Sequence, residues 1–490
     1  MLQQSTKPIS LDYQTLLFAL LAVLSGIGMG MMTIALGSPA LVAVFAMGVV
    51  LVIITLVHPE FGIAILTVMT FTRVSDILVA YHHAPSTVQP FMVLLVMAAG
   101  LYYVRARRRP VGLQQVVICL LLYGFVVFLS LIYAKDLSLA EAGLESYVKD
   151  SFVAFLVVLL VQNVSALRQV IWALLFVGIV LGTLSVYQYV TGTYSNTYWG
   201  FAQALLSNLP GESGYRLGGP FRDSPFFGQI LLVFVPLALN RLTHERQLWL
   251  RCLAGWCLSV SVLTIILTYS RGAFLGLIVM AAVMFVRRPP RPIAFAIGLG
   301  LITAVLTLAP GNYVDRIRTI AEFAPVVGAS DVRNESSFRG RTSENIVAIQ
   351  LFLDNPLLGV GVGNYNAHYV EYSSRLGMDP RLKNRSAHNL FLEVLAESGV
   401  IGLGVFLGIL YVAFKALHRA RRSLEHGGLG DIASMVQAIS VALLGYLTAS
   451  AFLHLAFARP FWLLIGLALA TTQIAQYELA QRAAANEPNS

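Results

Sequence analysis

Apolar runs close to the length of about 20 residues that a helix needs to cross a hydrocarbon core recur along most of the chain, separated by charged or Gly/Pro-rich breaks. About fourteen can be delimited. They fall at 16–36, 40–57, 62–80, 91–104, 113–133, 151–164, 170–190, 226–240, 252–268, 272–286, 293–308, 390–417, 432–454 and 461–473. The expected fold class is therefore all-α: a polytopic integral membrane protein with a long external loop between the eleventh and twelfth helices. Four stretches follow from this pattern: N-terminal transmembrane helices at 1–190, an arginine-bearing loop with helices at 191–308, the long loop at 309–389, and C-terminal helices at 390–490.

Composition agrees with that reading. The 490 residues are 57% hydrophobic and 12% charged, with a mean hydropathy of +0.75, well outside the range of soluble domains. The net charge of +9 comes from short basic clusters between apolar runs, such as RARRR at 105–109 and RRPPR at 287–291. Such clusters stay on the cytoplasmic side and report topology, with no nucleic-acid partner implied. With every span counted, the clusters at 105–109, 241–251, 287–291 and 415–422 share one side, and both termini join it. Cys119, Cys252 and Cys257 all lie in apolar runs without ligand spacing, so neither a disulfide framework nor a zinc site is expected.

The opposite, external side then receives the loops at 81–90, 134–150, 191–225 and 309–386, the last two too long to be simple connectors. The final loop contains amphipathic pieces at 313–323 and 343–353. Several ionisable groups collect there. Arg271, in TYSRGAFLG, sits between two apolar runs at the membrane edge, where an arginine is costly unless it snorkels, pairs or binds a ligand. Arg216 and Arg222, in GYRLGGPFRDSPFFGQ, approach the same edge, with Asp223 as a local partner for one of them. His388, in SAHNLFLEVLAESGVIGLG, enters the twelfth span from that side, where the plain reading is a capping or packing residue. In the company of three arginines, an imidazole with pKa near 6.5 suits a general base, and the guanidinium forks suit the oxygens of a departing diphosphate.

Other features carry weaker signals. Arg339 and Arg341, in SSFRGRTSEN, and Asn389, beside His388, are loop contacts or a solvated polar face. DNPLLGVGVGN offers backbone amides to an anion but lacks the strand, spacing and lysine of a phosphate loop. His82, His83 and His368 lack metal-site company. Glu393 and Glu397 are poorly spaced from His388 to orient it. Arg73 and Asp76 are the main ionisable pair inside a span, spaced i, i+3, and are the feature that a transporter or flippase would use.

SFRGRTSENIVAIQLFLDNPLLGVGVGNY followed by SAHNLFLEVLAESGVIGLG resembles the shared C-terminal region of bacterial O-antigen ligases and O-antigen polymerases. RLGGPFRDSPFFG and TYSRGAFLG resemble that superfamily's other motifs. The resemblance implies a metal-independent, inverting glycosyltransferase without a cofactor, at the external face of the bacterial inner membrane. Its donor would be a glycan on undecaprenyl diphosphate, and its acceptor the hydroxyl of lipid A-core or of a growing glycan. It further implies His388 as general base, Arg216 and Arg271 as diphosphate ligands, and Arg341 as the arginine opening the last loop's helix; Arg222 has no firm counterpart. Ligase and polymerase both remain open, as does transport outside the resemblance.

Overall fold

The computed structural model describes residues 39–83, 85–106, 112–206, 214–287, 336–377, 385–453 and 458–486. Within them lie fifteen α-helices and a two-stranded hairpin. The first helices are α1 (Pro39–Val57), α2 (Pro59–Thr72), α3 (Val74–His82), α4 (Val88–Ala106), α5 (Leu113–Tyr133), α6 (Leu137–Leu160) and α7 (Val164–Thr191). Strands β1 (Ala204–Leu206) and β2 (Tyr215–Leu217) pair antiparallel with Leu205 opposite Arg216. Then follow α8 (Ser224–His244), α9 (Leu248–Leu267), α10 (Arg271–Arg287), α11 (Ser336–Asp354), α12 (Tyr365–Arg375), α13 (Leu390–His426), α14 (Gly430–Ser450) and α15 (Arg459–Asn486).

Eight of these helices are long and apolar enough to cross a membrane, nine if the bent pair α2–α3 is one span. The expected spans at 16–36 and 293–308, and the loop piece at 313–323, lie outside the described residues. The expected loop at 134–150 is mostly helix: α6 starts at Leu137 because Asp136 caps it, its carboxylate accepting from the amides of Ser138 and Leu139. Such a cap satisfies amides that the first turn otherwise leaves without partners. The segments expected to be external likewise contain secondary structure of their own: the hairpin in one, α11 and α12 in the other.

Interhelical hydrogen bonds define the two ends of the bundle. At one end Tyr103 of α4 donates to the Leu159 carbonyl, Asn240 of α8 donates to Ser434 in the first turn of α14, and Arg482 of α15 donates to the Gly428 carbonyl. This end receives Arg105, the α8–α9 turn and the basic end of α13. At the other end Gln229 near the start of α8 donates to the Tyr446 carbonyl and Ser450 hydroxyl of α14. There too the α5–α6 turn meets the segment before α12, with Tyr133 donating to the Leu358 carbonyl and Asn364 exchanging hydrogen bonds with the Asp136 backbone. Among the described residues, Arg105, the α8–α9 turn and the basic end of α13 thus lie at the end opposite the turns that carry the expected site.

Two helices that read as continuous are broken. The 62–80 run bends by 55° between α2 and α3, at Arg73, which adopts a left-handed backbone (φ 52°). Arg73 pairs with Asp76 at 2.7 Å, as the i, i+3 spacing allows, and lies over the Phe221 ring. The larger break is in α13, at Gly399 (φ 63°, ψ −166°). Phe391 and Phe406 have ring centroids 6.5 Å apart, whereas fifteen residues of continuous helix would separate them by about 22 Å. Residues 390–398 therefore fold back along 400–426, and the chain before Leu390 returns toward the level of Phe406.

The Gly-rich stretch at 356–363 makes this break possible. Val360 and Gly361 donate to the carbonyls of Ala396 and Glu397, which end the first segment, and Val400 and Ile401, which begin the second, donate to Pro356 and Leu357. Those are the groups that a helix end strands. The amides of Val360 and Gly361, which the sequence offered to an anion, are spent here on a helix splice.

Candidate functional site

The arginines are placed by turns between helices. Strand β2 delivers Arg216, whose guanidinium donates to the carbonyls of Thr268 and Tyr269 at 3.2 and 3.4 Å. These carbonyls end α9, and Tyr269 (φ 53°) turns the chain into α10, of which Arg271 is the first residue. Arg216 and Arg271 are both half-buried, and the Arg216 guanidinium is bonded to the same α9–α10 turn from which Arg271 starts α10. Arg222 is held elsewhere: it donates to Gln203 at 2.9 Å and to the Tyr81 hydroxyl at 2.6 Å, and its guanidinium lies over the Tyr81 ring. Asp223 caps α8 through the Phe226 amide, so the local partner proposed for an arginine serves a helix.

His388 stands at a corner with a left-handed backbone (φ 45°), uncommon for a side chain of this size. Both neighbours hold the corner. Ala387 is fully buried in a second apolar core with Val347, Ala348, Leu351, Val360, Tyr365 and Tyr369. Asn389 caps α13, accepting from the amides of Phe391 and Leu392, so its side chain supports the corner. The His388 ring is about one-third exposed, and its Nε2 lies 4.0 Å from Oε2 of Glu344, whose side chain is only 1% exposed.

Glu344 comes from α11 and was not expected. Its other oxygen accepts from Arg385 at 2.5 Å. Its backbone carbonyl accepts from the Tyr365 hydroxyl at 2.6 Å, and its neighbour Ser343 bonds Tyr369 at 3.0 Å, which fixes α11 on α12. A signal existed in the sequence. Glu344 shares the buried face of an amphipathic helix with Val347, Ala348 and Leu351, at i+3, i+4 and i+7, and a carboxylate on such a stripe calls for a partner. Arg341, half-buried, lies one turn before Glu344. Arg339 falls in the same helix, but its side chain is outside the described residues.

The glutamates weighed from the sequence have other surroundings. Glu397 is buried and accepts from the Tyr365 amide, holding α12 to the break in α13. His368 is on α12, where burial and Lys135 keep its imidazole below the ordinary range. Among the described residues no group of three or more His, Cys, Asp or Glu side chains could hold a metal ion. Cys119 and Cys257 are buried and Cys252 is exposed, all as free thiols.

Fold and site together define a polytopic helical membrane protein with a histidine–carboxylate pair and an arginine-lined turn at one end of its bundle. Residues 256–407 match the family model described as O-Antigen ligase. The resemblance read from the sequence is supported over that stretch, a family of membrane glycosyltransferase-like enzymes. The match contains Arg271, Arg341, Glu344, Arg385, His388 and Gly399, while Arg216 and Arg222 precede it. No curated protein matches the chain.

Proposed function

We propose that the protein transfers a glycan from undecaprenyl diphosphate to an acceptor hydroxyl at the periplasmic face of the inner membrane, as an O-antigen ligase does with lipid A-core. The single observation that supports this most is the placement of His388. It is set on a strained, doubly anchored corner beside a buried carboxylate, at the bundle end opposite the basic clusters and within the stretch that matches the family.

The chemistry follows from the groups available. His388 takes the proton of the acceptor hydroxyl as its oxygen bonds to the anomeric carbon. The bond from that carbon to the diphosphate oxygen breaks on the opposite face, which inverts the configuration. Undecaprenyl diphosphate leaves with the electron pair, and Arg216 and Arg271 stabilise the growing charge. Arginine suits that role because it stays protonated and binds phosphate oxygens through two parallel donors. The energy of transfer resides in the lipid-linked donor, so no nucleotide is required outside the cytoplasm. The fold-back of α13 returns the chain at His388 to the level of the Phe406 ring, which suits a donor whose lipid remains in the membrane.

An acceptor-swap assay with a defined lipid-linked glycan tests the reading. Product on lipid A-core supports the ligase, and elongated glycan on undecaprenyl diphosphate would assign a polymerase. Normal transfer by folded His388→Ala protein would overturn the base assignment.

A further inference from the structure

We propose that Glu344 is the positioning residue of His388: it holds the proton-bearing Nε2 of the ring, so that Nδ1 is the nitrogen that takes the acceptor's proton. This rests on the reading of His388 as a general base and names the atom and the partner through which it works.

Three observations carry it. First, the carboxylate is directed at one particular nitrogen, with Oε2 4.0 Å from Nε2. That distance is an electrostatic contact in the resting protein, and catalytic contacts commonly tighten when substrate binds. Second, the carboxylate is fixed. The Tyr365 hydroxyl on its backbone carbonyl, the Ser343–Tyr369 bond and the Arg385 guanidinium leave it little freedom. Third, the backbone on both sides of His388 is anchored, by buried Ala387 and by the Asn389 cap, so the corner that carries the ring stays beside Glu344 while the imidazole can still close the 4.0 Å gap.

The charges balance through the step. The hydroxyl proton goes to Nδ1, and the imidazolium so formed faces the Glu344 carboxylate across Nε2–H. Arg385, on the other carboxylate oxygen, tempers this attraction. Among the described residues the adjoining elements also carry Arg341 and Asp354 on α11, His368, Glu371 and Arg375 on α12, and Glu393 and Glu397 on the first segment of α13. Histidine tautomers are set by the hydrogen bond or charge at the second nitrogen. A carboxylate at Nε2 therefore leaves the lone pair on Nδ1.

The test measures transfer from a lipid-linked glycan against pH, with thermal stability in parallel, for wild type, Glu344→Gln, Glu344→Asp, Arg385→Met and His388→Ala. Since a general base works in its neutral form, loss of the carboxylate lowers its pKa and moves the acid limb of kcat to lower pH, by about one unit. We expect that shift in Glu344→Gln with a fall in kcat of at least about tenfold, partial recovery in Glu344→Asp, and a shift to higher pH in Arg385→Met. If Glu344→Gln does not fold, the Arg385→Met shift and the 15N shifts of the His388 ring in wild type decide the matter. An Nε2–H tautomer supports the proposal and an Nδ1–H tautomer overturns it. If His388→Ala abolishes transfer while the Glu344 and Arg385 variants change only the melting temperature, Glu344 is structural and this inference fails alone. If His388→Ala retains transfer, the base assignment beneath it fails.

Discussion

Gly359 and Gly399 make reciprocal close approaches at the break in α13: Gly359 packs on the backbone of Ala396 and Glu397, and Gly399 on that of Leu357 and Leu358. A Cβ added to Gly359 would lie 2.4 Å from the Glu397 carbonyl carbon, and one added to Gly399 would lie 2.3 Å from the Leu357 oxygen. Both residues have positive φ, 69° and 63°, so alanine at either position meets backbone strain as well as a clash with atoms that cannot rotate away. Gly359→Ala and Gly399→Ala are each expected to cost more than about 1 kcal/mol and to lower the melting temperature of the purified protein. Gly404, on the exposed face of the same helix with open space around it, is the control. Alanine there should be neutral or stabilising by up to about 1 kcal/mol.

That break also marks the limit of what the sequence discloses. Hydropathy locates part of the expected set, with eight or nine candidate spans among the described residues against about fourteen expected, and α5 coincides with the expected 113–133 run, because a membrane helix satisfies its own backbone and needs only apolar length. The fold-back in α13 depends on partners some 40 residues upstream in the Gly-rich stretch, and the apolar run resumes directly after Glu397, Ser398 and Gly399, so hydropathy reads a single span from 390 to 417. The site divides in the same way. His388, Arg216 and Arg271 stand out as polar groups at span ends, whereas Glu344 is distinguished only by its place on the buried stripe of α11. Arg222 shares its loop with Arg216 but has no firm counterpart in the resemblance, and its bonds to Gln203 and Tyr81 give it partners that the sequence does not show.

The difference between those arginines is measurable. Arg271→Lys keeps the charge but loses the fork, and removal of a donor aimed at developing charge typically costs about 10²–10³-fold in kcat; a fall of at least about tenfold is expected. Arg216→Lys should lose activity and also some thermal stability, because the guanidinium joins β2 to the end of α9. Arg222→Ala should lower the melting temperature through loss of its bonds to Gln203 and Tyr81, while leaving the KM for a lipid-linked donor within a few-fold of wild type. A large rise in that KM would return Arg222 to the donor site.

Acid should loosen the junction between the α5–α6 turn and α12. The Asp136 carboxyl is held below its ordinary range by the Ser138 hydroxyl and the Leu139 amide, and Glu371 is held low by Lys135. Groups whose folded pKa is depressed contribute stability above their unfolded pKa, about 4 for these residues, and lose it as pH falls through the folded value. The melting temperature should therefore decline below about pH 4, and Asp136→Asn should make the decline shallower while lowering the plateau above it. Hydrogen exchange at Ser138 and Leu139 gives a local readout of the same cap.

Asp150 and Arg459 join α6 to the start of α15 at 2.5 Å, with side chains 17% and 28% exposed. Each charge was brought into a helix bundle at a desolvation cost that the other offsets, so removal of one strands its partner. For fully buried pairs this costs about 3–5 kcal/mol, and the partial exposure here sets a lower expectation. The two single variants should nevertheless differ. Asp76 lies close enough to act on the charge of Asp150, so Arg459→Met leaves two carboxylates opposing each other, relieved by the pairing of Asp76 with Arg73 and by Lys149 beside Asp150. Asp150→Leu strands a single guanidinium, which can snorkel along its long stem. Arg459→Met is therefore expected to lower the melting temperature more than Asp150→Leu, and the double variant should recover part of the loss in a double-mutant cycle. Equal and additive effects of the two substitutions would show that the pair does not couple the helices and that Asp76 exerts no repulsion across this junction.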